Sequence, residues 1–152
     1  MNNIQKQNQK KKRKGFTLIE LIIVLAVMAI IAAIAIPNFA AVRDSSKKKA
    51  DIQSCETIKR TVLTLVADDT IKPLNGKKLT FVSGDKFVIE ADKVTGVTFS
   101  DEWADVKEQT AVAKALKDVK EPQLGTTTNY IVSIDGSGNV NVTSADPDVK
   151  SK

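Results

Sequence analysis

Between Leu21 and Ile36 no side chain is polar. One carboxylate, Glu20, stands at the mouth of this run, preceded by Lys14-Gly15-Phe16-Thr17-Leu18-Ile19. Phe16 to Ile36 is 21 residues, which as a helix measures about 31 Å, close to the hydrocarbon thickness of a bilayer. The run is apolar on every side, and the rest of the chain is too small to wrap it as a core helix. It predicts a segment that crosses a membrane. The remainder must then build its own small core.

Charge is distributed around this segment unevenly. Lys6, Lys10, Lys11, Lys12, Arg13 and Lys14 precede Phe16, and no acid does. The whole chain carries a formal +5, but without residues 1–15 it has 17 basic against 18 acidic residues. A product cut there is nearly neutral and lacks the basic patch that a nucleic-acid partner requires. The tail itself is too polar to bury a core, and its cations favour the cytoplasmic side of a membrane, with the remainder outside.

Pro37 cannot donate to the carbonyl of Ala33, and its ring crowds that turn, so a kink is expected there. Helical pattern then resumes. Ile52, Cys55, Ile58, Val62 and Leu65 recur at spacings of three and four, marking one buried stripe. Arg43, Lys47, Lys48, Lys49, Lys59 and Arg60 fall mostly off it. One bent helix is therefore predicted from about Thr17 to about Asp68. Downstream, Leu79–Val82 and Phe87–Ile89 around Ser83-Gly84-Asp85-Lys86 read as a hairpin, and Val94–Phe99 as a further strand. Ser100-Asp101-Glu102 reads as the start of a second helix carrying Trp103, Val106, Thr110, Ala113 and Leu116, closed by Glu121-Pro122. Thr127–Ile134 and Asn139–Thr143 flank Asp135-Gly136-Ser137-Gly138 as a hairpin, with Tyr130, Val132 and Ile134 on one face. Ser144–Lys152 reads as a frayed tail. The fold class is α+β: a long bent amino-terminal helix packed on a small antiparallel sheet head with a short extra helix.

No catalytic constellation emerges. The chain has no histidine, one cysteine, and no glycine-rich phosphate loop. Cys55 lies on the buried stripe and reads as a small hydrophobe. Residues 135–146 miss the calcium-loop pattern, with Val140 where a glycine is needed and Asp146 in place of the terminal glutamate. Asn141-Val142-Thr143 is a sequon of the kind chance supplies. No cofactor and no metal site are expected. Glu20 remains. A carboxylate at the edge of a spanning helix is costly unless paired. A cut between Gly15 and Phe16 would create an amine one helical turn away, able to neutralise it within the chain or between subunits.

The segment Lys14 to Glu20 with the apolar run after it resembles the processing signature of type IV pilins and pseudopilins, over about the first 40 residues. The resemblance implies a lollipop-shaped subunit, with residues 1–15 a basic leader removed by prepilin peptidase. Residues 16–38 are then a hydrophobic half-helix, 39–69 an amphipathic half-helix, and 70–152 the head. It implies cleavage after Gly15, N-methylation of Phe16, charge pairing of Glu20 with a neighbour's amino terminus, and a helix kink at Pro37. The implied partners are further copies of the chain, the cytoplasmic membrane before assembly, prepilin peptidase, the assembly platform and minor pilins. The implied location is the membrane and then an extracellular pilus, with motility, adhesion or biofilm roles and no enzymatic activity. The sequence departs from the family at Ala29, where many members carry glycine, and in lacking a disulfide. Two other readings stand beside the major pilin: a pseudopilin of a secretion or competence system, and a secreted protein whose signal peptide is cut near Ala35, at Ala33-Ile34-Ala35.

Overall fold

The structure, a computed structural model, describes residues 15–90, 93–124 and 129–144. The leader residues before Gly15, the expected strand start at Thr127 and the tail beyond Ser144 lie outside them. The elements run α1 (Leu18–Ala67), β1 (Lys77–Phe81), β2 (Val88–Glu90), β3 (Lys93–Thr95), β4 (Val97–Phe99), α2 (Val106–Leu116), β5 (Tyr130–Ile134) and β6 (Val140–Ser144). The chain divides into two compact units, Met1–Ala40 and Ala41–Lys152.

In the first unit α1 begins after Thr17 and presents its apolar side chains to the surroundings. The helix continues through Pro37. In the second unit α1 is amphipathic, as its spacing predicts. Cys55, Ile58 and Val62 are fully buried, and Ile52 and Leu65 pack partly against them. Asp69 ends the helix in the left-handed conformation (φ 60°). The N–H of Ile71 then donates back to the carbonyl of Leu65 (2.9 Å), and Ile71 enters the core.

The sheet beneath α1 is antiparallel, in the order β4-β1-β5-β6. Alternation sends Leu79 and Phe81 from β1, Tyr130, Val132 and Ile134 from β5, and Val140 and Val142 from β6 to the same core. Asp135 closes the β5–β6 turn: its carboxylate accepts from the backbone N–H of Ser137 (2.9 Å) and Asn139 (2.8 Å) and from the side-chain amide of Asn139 (2.8 Å). The hairpin expected there forms.

The expected hairpin of Leu79–Val82 with Phe87–Ile89 does not. β1 pairs with β4 and β5, and β2 pairs with β3 in a separate two-stranded ribbon. Ser83 to Lys86 are drawn instead to the end of α2. Gly84–Lys86 form a 3-10 turn whose Gly84 N–H donates to the carbonyl of Val119 (2.7 Å). A Cβ at Gly84 would stand 1.8 Å from the carbonyl oxygen of Leu116, so only glycine permits this approach. The single strand expected over Val94–Phe99 is two. Gly96 (φ 87°) breaks it, lying so close to Lys86 that a Cβ would meet its carbonyl oxygen at 2.2 Å.

The second helix begins later and ends earlier than the sequence suggests. Its cap is Asp105, whose carboxylate accepts from Lys107 N–H (2.8 Å). Ser100 is engaged by the sheet, accepting from Lys78 N–H (2.9 Å) and donating to the carbonyl of Gly76 (3.2 Å). Trp103 sits before α2, buried, with its ring 5.2 Å from that of Phe99. Lys117 is the carboxyl-terminal cap, well before Pro122.

Candidate functional site

The segment Gly15 to Glu20 is solvent-exposed, and Phe16 is 80% exposed. Residues 15–17 are not helical. A Cβ at Gly15 would meet nothing within 4 Å, so no contact in this chain requires glycine there. The bond between Gly15 and Phe16 is thus open to the surroundings.

Thr17 and Glu20 form a reciprocal cap. The Thr17 hydroxyl accepts from Glu20 N–H (3.3 Å), and the Glu20 carboxylate accepts from Thr17 N–H (3.4 Å) and the Thr17 hydroxyl (3.5 Å). These contacts are longer than an ordinary N–H to oxygen bond of about 2.9 Å. The carboxylate is held loosely in the first turn, where the helix dipole favours it, and is free to turn to a stronger donor. The sequence carried the signature of this cap, a threonine three residues before a glutamate.

Every large apolar side chain from Phe16 to Ile36 is exposed. Among the described residues α1 is the one helix long and apolar enough to cross a membrane. The expected signal-peptidase site, Ala33-Ile34-Ala35, lies inside α1.

Residues 10–36 match the family model described as the prokaryotic N-terminal methylation motif. Over 137 residues the chain is 37% identical to prepilin peptidase-dependent protein A of Clostridium perfringens, which covers 90% of this chain and 88% of that protein. The chain belongs to the type IV pilin and pseudopilin family. A second relative is the type IV wide pilus major component PilA4 of Thermus thermophilus, 44% identical over 62 residues, or 41% of this chain and 38% of that protein. No solved structure matches.

This pilin-family chain holds its head together with polar groups that sequence patterning did not reveal. Asp51, on α1, is buried, and its carboxylate accepts from the backbone N–H of Gln123 (2.7 Å) and Leu124 (2.8 Å). It ties the segment after α2 to the helix without a covalent bond. Lys77 of β1 and Glu108 of α2 form a buried ion pair. The Lys77 ammonium also donates to the carbonyl of Lys72 (3.0 Å) and lies 4.7 Å from the Trp103 ring centroid. Glu108 in turn accepts from Lys72 N–H (3.1 Å). Cys55 is a buried free thiol. Burial, with help from the nearby carboxylates of Asp51 and Glu56, pushes it from 9.0 up to about 11. It is therefore protonated and a poor nucleophile. Among the described residues no group of three or more His, Cys, Asp or Glu could hold a metal ion.

Proposed function

We propose that this chain is a structural subunit, the major pilin, of a type IV pilus. Prepilin peptidase cuts between Gly15 and Phe16, and Phe16 is N-methylated. The precursor is anchored in the cytoplasmic membrane with its amino end cytoplasmic and its head outside. Its segments are the leader 1–15, the hydrophobic half-helix 16–38, the amphipathic half-helix 39–69 and the head 70–152. The carrying observation is an exposed, non-helical Gly15–Phe16 segment joined directly to a half-helix whose apolar residues are all uncovered. Such a surface calls for lipid first and then other copies of itself. The methylation-motif match over residues 10–36 supports the chemistry at the cut.

Cleavage turns the peptide nitrogen of Phe16 into an amine next to the Thr17–Glu20 cap. Glu20 can exchange its long contacts to Thr17 for a charge-assisted bond to an amine, in its own chain or a neighbour's. In the apolar interior of a filament that pairing sets register, because an unpaired carboxylate there is costly. Pro37 deprives the Ala33 carbonyl of its helical donor and supplies the kink. The assembly platform and minor pilins are the remaining partners, and adhesion or motility would follow from the head surface.

Mass spectrometry of the exported protein tests this. The expected product begins at Phe16 with one added methyl group and dominates purified filaments. A product beginning at Ile36 refutes the pilin reading. A correctly cut product that is scarce in filaments refutes the major-pilin reading and favours a pseudopilin.

A further inference from the structure

We propose that Arg43, Lys47, Lys48 and Lys49, which follow the apolar part of α1, form a collar that binds anionic phospholipid headgroups. The inference rests on the membrane-anchored precursor described above and names the lipid class that the precursor selects.

The first support is position. Arg43 comes directly after Val42, an exposed apolar residue, and seven residues after Ile36. Seven residues are about two helical turns. Arg43 lies about 10 Å and Lys49 about 20 Å past the end of the run, and long side chains, which lean toward the amino end of a helix, reach back from there toward the headgroup layer.

The second is arrangement. At 3.6 residues per turn, Arg43, Lys47, Lys48 and Lys49 point at about 0°, 40°, 140° and 240° around the helix. Arg43 and Lys49 are exposed, and Lys47 and Lys48 are half-buried. Cations spread around a helix suit a surface that surrounds it, as a lipid leaflet does. A protein partner docking from one side would be met by one face.

The third is the fate of the acids. Asp44 is the one acid among residues 43–49. The next acid along α1, Asp51, is turned inward, its two oxygens taken by Gln123 and Leu124 N–H. Residues 50–152 carry 13 Lys and Arg against 16 Asp and Glu, an excess of three negative charges. Positive charge is gathered beside the spanning run and negative charge beyond it. An anionic surface attracts the collar and repels the more acidic remainder of the chain.

Each Lys or Arg near an anionic surface changes affinity by roughly fivefold at physiological ionic strength. Three neutralised lysines therefore change it by roughly hundredfold. The test uses the full chain in mild detergent, offered an equimolar mixture of phosphatidylglycerol and phosphatidylcholine, with bound lipids counted by native mass spectrometry. The wild-type chain is expected to retain phosphatidylglycerol preferentially. K47Q/K48Q/K49Q is expected to lose that preference, and R43Q/K49Q, which alters only exposed side chains, to lose it in part. Millimolar inorganic phosphate is expected to leave the wild-type preference in place. Equal retention of the two lipids by the wild type overturns the proposal, as does an unchanged preference in both variants or full displacement by inorganic phosphate. Loss of self-association in lipid-free detergent, with lipid preference intact, assigns the collar to a second copy and also overturns it. The cut at Gly15 is read separately on processed protein, so either conclusion can fail alone.

Discussion

The buried pair of Lys77 and Glu108 gives a prediction whose sign is as informative as its size. Lys77 is 3% exposed and Glu108 6%. Replacing Glu108 by leucine strands an ammonium and removes the acceptor of Lys72 N–H. Replacing Lys77 by methionine strands a carboxylate that still accepts from Lys72. Breaking one partner of such a pair costs about 3–5 kcal/mol, because the surviving charge is buried without compensation. Removing both charges leaves only the backbone groups of Lys72, an exposed residue within reach of water. K77M/E108L is therefore expected to lose about 1–2 kcal/mol, far less than the sum of the single changes. The assay is guanidinium unfolding of the full chain in detergent, followed by tryptophan fluorescence. The chain has one tryptophan, Trp103, buried in the head, so the signal reports the head and not the apolar helix. Lys77 lies over that ring, so native intensity will change in its variants, but the midpoint stays interpretable. A double variant that loses as much as the two singles together would refute the account of the pair as mutual compensation.

Two further predictions concern the same head. Asp51→Ala leaves the N–H groups of Gln123 and Leu124 without their acceptor and is expected to cost about 3 kcal/mol, with Asp51→Asn losing less; an Asp51→Ala midpoint equal to wild type in the same assay contradicts the clasp. Burial pushes Tyr130 from 10.0 up to about 12 and Cys55 from 9.0 up to about 11. Both groups ionise more readily unfolded, so their contribution is complete below about pH 9 and is lost as pH rises through the folded values. Unfolding midpoints should fall more steeply above pH 9 in the wild type than in C55A/Y130F, and identical slopes would count against the burial of both groups.

Where periodicity is long, the sequence was transparent. The stripe from Ile52 to Leu65, the alternation of Tyr130, Val132 and Ile134 and the Asp135–Asn139 turn are each written within a dozen or so neighbouring residues, and each appears in the structure. The errors fall where distant partners decide. Ser83-Gly84-Asp85-Lys86 has the composition of a hairpin turn, yet the carbonyl of Val119 claims Gly84. Ser100 has the chemistry of a helix cap, yet β1 claims its hydroxyl, and Asp105 caps α2 instead. The burial of Asp51 and Glu108 has no local signal, because nothing nearby in the sequence says that Leu124 N–H or the Lys77 ammonium will arrive from elsewhere. At the amino terminus, the Thr17–Glu20 cap is legible from spacing alone, whereas the open space around Gly15 depends on the three-dimensional fold.

The collar bears on the order of events at the membrane. Under the rule that cations flanking a span stay on the cytoplasmic side, six leader cations oppose the four that follow Val42. While the leader is attached, the balance favours the amino end inside. Removal of Gly15 and everything before it, as proposed above, would leave cations that favour the opposite orientation. On the proposed cut the leader would work as a temporary compass: insertion would have to precede cleavage, and the subunit would afterwards keep a direction that its own sequence no longer encodes. The cost of drawing a folded, charged head back through lipid would preserve that direction kinetically.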